Sequence, residues 1–162
     1  YMILKNSDIQ IGNIIATGKV FSNTSTIGRV LEIGNDEQEF EQVYCECPKS
    51  FDWFFKDNYC GIPLTEKWHN FFGVKKDGFL NYVYDISVFE KYDKCLVFAG
   101  DYLYLREVNT DINIKHPYDL MVLWNRDIKK EFYVHEFQIL YEIISGNKLK
   151  FDFKIAAQKY NL

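Results

Sequence analysis

Apolar and polar positions along this chain alternate mostly with period two, and turn residues interrupt the alternation roughly every eight to fifteen residues. That spacing predicts many short strands and few helices. Ile9 to Ala16 reads as a first strand closed by Thr17-Gly18, Lys19 to Ser22 opens a second, and Asn23 to Thr26 is a polar loop. Ile27 to Ile33 and Gln38 to Cys45 flank Gly34-Asn35-Asp36-Glu37, a hairpin turn because Gly and Asn tolerate positive φ. Four short antiparallel strands in this space predict an N-terminal barrel-like part over residues 8–47.

Further along, Thr65 reads as the N-cap and Gly73 as the left-handed stop of a two-turn helix, Thr65 to Phe72. Asp77-Gly78 predicts a hairpin turn into a strand that places Leu80, Tyr82, Tyr84, Ile86 and Val88 on one face. Cys95 to Ala99 and Tyr102 to Val108 flank Gly100-Asp101, a second such hairpin. Met121 to Trp124 and Ile128 to Val134 flank Asn125-Arg126-Asp127, a third. Val134, Phe137, Leu140, Tyr141 and Ile144 recur at three- and four-residue steps, which predicts a helix ending at Ser145 with Gly146 as its stop and with Gln138 on the surface. Leu149, Phe151, Phe153 and Ile155 alternate with polar residues and read as a half-exposed final strand.

The resulting expectation is an α+β fold in one domain over residues 1–162. A mainly antiparallel twisted sheet with its N-terminal barrel-like part is covered by two helices, Thr65 to Phe72 and Val134 to Ser145. Composition supports a packed core: of 162 residues 48% are hydrophobic, with 14 Phe, 12 Tyr and 3 Trp against only 3 Pro. A formal charge of −4 and the presence of only Arg29, Arg106 and Arg126 among the arginines disfavour a partner bound through phosphates. Ile3 to Asp8 turns polar too soon for a signal peptide, and no apolar run approaches the ~18 residues of a membrane span, so no membrane partner is expected.

Candidate chemistry is sparse. His135-Glu136 begins like a zinc-protease helix, but Ile139 stands where the second histidine must be. His135, Gln138 and Glu142 nonetheless share one helix side and form a polar face. Cys45, Cys47, Cys60 and His69 have the residue types of a zinc set, yet their spacing matches no ribbon or finger, so no metal site and no cofactor is predicted. Six acidic residues between Glu32 and Glu46, with no Lys or Arg among them, read as a solvated hairpin. Phe51, Trp53, Phe54, Phe55 and Tyr59 crowd nine residues, more rings than a connector needs, and are the candidate partner-binding surface.

Three segments together resemble a family of short uncharacterised proteins that recurs in phages and prophages of gut anaerobes. They are Ile11-Gly12-Asn13, Ile62-Pro63-Leu64-Thr65-Glu66-Lys67-Trp68 with Phe72-Gly73-Val74, and Tyr133 to Tyr141 ending in Ser145-Gly146-Asn147-Lys148-Leu149. The last motif is usually similar to Val-His-Gln-Leu-Gln-Asn-Leu-Tyr, from which this chain departs at Glu136, Phe137 and Ile139. The resemblance implies a mobile-element origin, and with it a cytoplasmic setting in the host cell or association with a virion. The function expected from these features is a non-enzymatic interaction module that binds a host or viral protein. The alternatives are a nucleic-acid or nucleotide binder using the barrel-like sheet, and a metal-dependent enzyme around His135 or the cysteines.

Overall fold

The computed structural model describes residues 2–18, 26–76, 81–88, 92–109, 117–127, 129 and 131–160. Strands β1 (Ile14–Thr17), β2 (Thr26–Asn35), β3 (Glu41–Glu46) and β4 (Phe51–Phe55) form an antiparallel meander, and the two-residue β5 (Tyr59–Cys60) pairs back onto β1. The strand order is therefore β4-β3-β2-β1-β5. Only the 3-10 turn Lys56–Asn58 separates β4 from β5, although they occupy opposite edges. Four Cα steps reach at most about 14 Å, whereas the edges of a flat five-stranded sheet lie about 19 Å apart. The sheet must curl, and it forms a half-barrel. A register shift between Val30 and Glu32 in β2 supplies the kind of local bend that a bulge introduces.

Curling gives this sheet two buried faces along β1. Ile15 points into the barrel with Leu4, Ile9, Val30, Val43 and Tyr59. Its neighbours Ile14 and Ala16 face a second, larger core. All four residues of β1 are buried, which is why the segment reads as a continuous apolar run.

The other side of that larger core is a four-stranded antiparallel sheet: β6 (Tyr82–Val88), β7 (Tyr92–Ala99), β8 (Tyr102–Asn109) and β9 (Pro117–Asn125), in chain order. Three helices pack around the shared core: α1 (Glu66–Phe71), α2 (Val134–Ser145) and α3 (Phe153–Lys159). Phe137 of α2 sits at its centre, with the rings of Phe72, Tyr84, Phe98, Phe132 and Tyr141 at centroid distances of 4.7–6.4 Å. No helix among the described residues is long and apolar enough to cross a membrane.

The α+β architecture and both expected helices are present, with Gly73 and Gly146 in the left-handed region at φ 77° and 70°. Four local expectations are corrected. The first hairpin turn lies at Asp36–Phe40 rather than at Gly34 to Glu37: Gly34 and Asn35 stay paired with Gln42 and Glu41, and Glu39 takes the positive φ of 63°. The final strand is instead helix α3: Asp152 caps it, accepting from the Ile155 amide at 3.0 Å, and Phe153, Ala156 and Ala157 are buried at helical spacing. Among the described residues of the third hairpin, the backbone of Phe132 and Val134 bonds Leu64 and Ile62 rather than β9. The first strand starts at Ile14, since a tight turn at Gln10–Asn13, with Gly12 at φ 97°, precedes it. Lys19 to Ser22, Asn23 to Ser25, the Asp77-Gly78 turn, Leu80, Ile128 and Lys130 lie outside the described residues.

Candidate functional site: the outer face of β4

The five rings of the Phe51 to Tyr59 stretch are sorted by strand geometry. β4 is an edge strand paired only with β3, in the register Phe55↔Gln42, Trp53↔Tyr44 and Phe51↔Glu46. Period two sends Phe51, Trp53 and Phe55 outward, with 59%, 41% and 48% of their surfaces exposed. Tyr44 of β3 lies beneath them, 5.2 Å from the Trp53 ring and 6.5 Å from Phe51 between centroids. Phe40, 59% exposed, joins Phe55 in lining a shallow groove with Glu39, Glu41 and Lys56. Phe54 points inward and packs against the half-barrel core. Tyr59 is fully buried there, its hydroxyl donating to Asn6 Oδ1 at 2.9 Å, and burial pushes its pKa up to about 12. Of the five rings drawn from sequence, Phe51, Trp53 and Phe55 are exposed on one face, and Tyr44 and Phe40 adjoin them.

Charges border this ring surface. The hairpin that carries Phe40 exposes Glu37 and Glu39, and its turn is built by Asp36, whose Oδ1 accepts from the Gln38 and Phe40 amides. Glu32 is exposed on β2, Glu46 pairs with Arg29, and Lys56 holds Glu41 at 2.8 Å and lowers its pKa. The surroundings are acidic, as the sequence predicts for a solvated hairpin.

Of the polar helix face His135, Gln138 and Glu142, the first two are buried. Gln138 is buried: its Oε1 accepts from the Ile14 amide at 2.8 Å and its Nε2 donates to the Gly12 carbonyl at 3.4 Å. The expectation of a surface Gln138 is corrected, because β1 needs a partner for its first amide and α2 supplies it. Gln138→Ala should cost about 1–3 kcal/mol in a denaturant titration, since it leaves that amide unmet. A loss under ~0.5 kcal/mol would contradict the bond. His135 is fully buried beside Gly61, where an added Cβ would stand 3.1 Å from His135 Cε1. Neither ring nitrogen has a partner, and burial pushes its pKa down to about 4. Glu142 borders a shallow pocket with Arg29, Lys148 and Lys150, and Gln138 lines the same pocket.

The segments that carry the family resemblance meet at α2. The Gly12 turn is tied to Gln138, the Pro63 segment bridges Tyr133, and Lys148 Nζ approaches to 3.7 Å of where a Gly12 Cβ would be. These residues join the half-barrel to the second sheet, so their contacts are those of a structural joint.

The cysteine and histidine set is dispersed. Cys45 and Cys47 are buried in the half-barrel, where burial pushes the Cys45 thiol up to about 12, and Cys60 belongs to the other core. His69 Nδ1 is 2.6 Å from the Tyr84 hydroxyl. Cys45, Cys47 and Cys60 are free thiols, and no group of three or more His, Cys, Asp or Glu among the described residues could hold a metal ion.

Sequence reasoning missed one feature, a ring-lined cleft between α1 and the second sheet. Its residues come from segments up to about seventy positions apart, which no local motif could link. No family model matches this chain, and neither a curated protein nor a solved structure matches it.

Proposed function

We propose that this protein is a non-enzymatic interaction module of a phage or mobile element, binding a host or viral protein through the outer face of β4. The observation that carries this is the exposure of Phe51, Trp53 and Phe55 on a strand whose second edge has no partner among the described residues. Natural edge strands are usually blunted by lysine, proline or a bulge, because free amides and carbonyls recruit other chains. β4 carries only Asp52 as a charge and three outward rings. Large rings dominate interface energetics, and an extended segment can add to such an edge by backbone hydrogen bonds.

The test is selection of binders from a displayed library of random peptides, followed by titration of the purified winners. Trp53→Ala with Phe55→Ala should weaken them by at least about a hundredfold, as two interface anchors would, while shifting stability by less than ~1 kcal/mol. Binding should depend only weakly on salt. If affinity instead collapses when Lys148, Lys150 and Lys154 are replaced and returns at low salt, phosphate-type recognition is favoured and the proposal fails.

A further inference from the structure

Hydrogen-bond alternation decides which backbone groups β4 offers at its open edge. The Cys47 amide donates to the Ser50 carbonyl at 2.8 Å, so these two residues are a hydrogen-bonded pair at the end of the β3–β4 ladder. In an antiparallel ladder bonded pairs alternate with non-bonded ones, which makes Cys45 with Asp52 and Val43 with Phe54 the next bonded pairs. The N–H and C=O groups of Phe51, Trp53 and Phe55 therefore point away from β3, toward the edge that has no partner among the described residues. The three residues that carry the exposed rings are also the three whose backbone can bond a further strand.

The segment Phe51-Asp52-Trp53-Phe54-Phe55 is close to symmetric about Trp53, with a phenylalanine at each end. Laid antiparallel on a second copy about that centre, Trp53 meets Trp53 and Phe51 meets Phe55 twice. All three pairs join residues whose backbone groups face the open edge, which allows two hydrogen bonds per pair, about six in all. The side chains of these residues lie on one face, so each backbone pair is also a cross-strand ring pair, a favourable contact in sheets. Charge at the strand ends agrees. Lys49 precedes β4 and Asp57 follows it, both exposed, and antiparallel alignment brings the Lys49 end of each copy to the Asp57 end of the other. Asp52 lies opposite Phe54 and diagonal to Asp52 of the second copy, a like-charge pair at about 7–8 Å that offsets part of this gain.

We propose that β4 pairs antiparallel with β4 of a second copy of this chain, giving a two-fold dimer in which one sheet runs through both half-barrels. The inference rests on the reading of β4 as an interaction strand. It leaves the rings open to the host or viral partner, because strands pair in the plane of the sheet and three rings from each copy then share one outer face.

Sedimentation equilibrium of the full chain from micromolar to millimolar concentration reads the association, and a monomer–dimer equilibrium is expected. Mild oxidation of two single variants tests the register, with the native chain, whose Cys45, Cys47 and Cys60 are buried, as the blank. Trp53→Cys should cross-link as a dimer, since its Cα atoms would lie about 5.5 Å apart across the two-fold axis. Phe51→Cys should not, because it is offset from its own counterpart by four residues, roughly 13 Å. Substitution of Phe55 separates edge pairing from packing of rings alone. Its φ of −73° suits proline, and its amide would donate to the Phe51 carbonyl of the second copy. Phe55→Pro should therefore weaken the dimer at least about tenfold more than Phe55→Ala, since two hydrogen bonds are lost per dimer, while the two variants melt at similar temperatures. A chain monomeric at millimolar concentration, equal cross-linking of both cysteine variants, or equal dimer affinity of the proline and alanine variants would overturn the proposal. So would a proline variant that melts far below the alanine variant, which would mark that amide as already bonded within the chain. A monomeric chain that still binds library-selected peptides fails this inference alone, whereas a dimer that binds none of them fails the host or viral partner reading alone.

Discussion

Taking the protein from pH 7 to pH 5 is expected to remove about 4 kcal/mol of stability, roughly 2 kcal/mol for each of two buried histidines. Burial pushes the pKa of His69 and of His135 down to about 4, because a charged imidazole cannot be solvated in those positions. In the unfolded chain both titrate near 6.5, so below that pH the unfolded state binds more protons than the folded one. The contribution is complete above pH 6.5 and is lost as pH falls toward 4. Most domains have only 5–15 kcal/mol in all, so the loss is a large share. Urea midpoints at the two pH values measure it. His135→Leu, which removes one titrating group and its unmet nitrogens, should lose about half as much stability over the same interval. An unchanged pH dependence in that variant would mean that His135 is not a buried neutral imidazole.

Phe137→Ala should cost about 3–5 kcal/mol, the range for deleting a buried ring from a packed core. The surrounding rings belong to Phe72 at the C-cap of α1, to α2, β6 and β7, and to the Phe132 segment, elements whose backbones cannot all collapse into one void. Ile143→Ala, on the same helix but 72% exposed, should change stability by less than ~0.5 kcal/mol. Guanidinium denaturation of the two variants reads the contrast, and similar losses would contradict the assignment of the buried face of α2.

The parts of the fold legible in sequence are those fixed by local rules. The stripe through Val134, Phe137, Leu140, Tyr141 and Ile144 is long enough to show a helical period, and Gly146 supplies the left-handed stop that ends it. The two-residue Gly100-Asp101 connection is equally local, whereas the turn after β2 falls at Asp36–Phe40, beyond the Gly34-Asn35 pair that composition favours. Helix α3 is where local pattern misleads. The alternation from Leu149 to Ile155 covers too few residues to separate period two from 3.6, and the Asp152 cap with the following Ala156-Ala157 carries the decisive signal.

At the candidate sites, sequence identified the ring cluster but not its sorting. Which of Phe51, Trp53, Phe54 and Phe55 faces outward depends on the pairing of β4 with β3, and Tyr59 is buried because β5 closes the half-barrel. Gln138 reads as polar and exposed because its partner, the Ile14 amide, lies 124 positions earlier. The Tyr82 and Trp124 cleft exists only once α1, β6 and β9 are brought together. Such sites arise from tertiary placement, which spacing along the chain cannot show.

Whether the outer face of β4 takes a partner is read from backbone amide shifts of the labelled protein during titration with a library-selected peptide. The largest changes are expected at the amides of Phe51 to Phe55 and at Tyr44, with signals of α2 and the second sheet nearly still. Changes concentrated in the Lys148 to Lys154 segment, or in the cleft beside α1, with β4 unmoved, would contradict it.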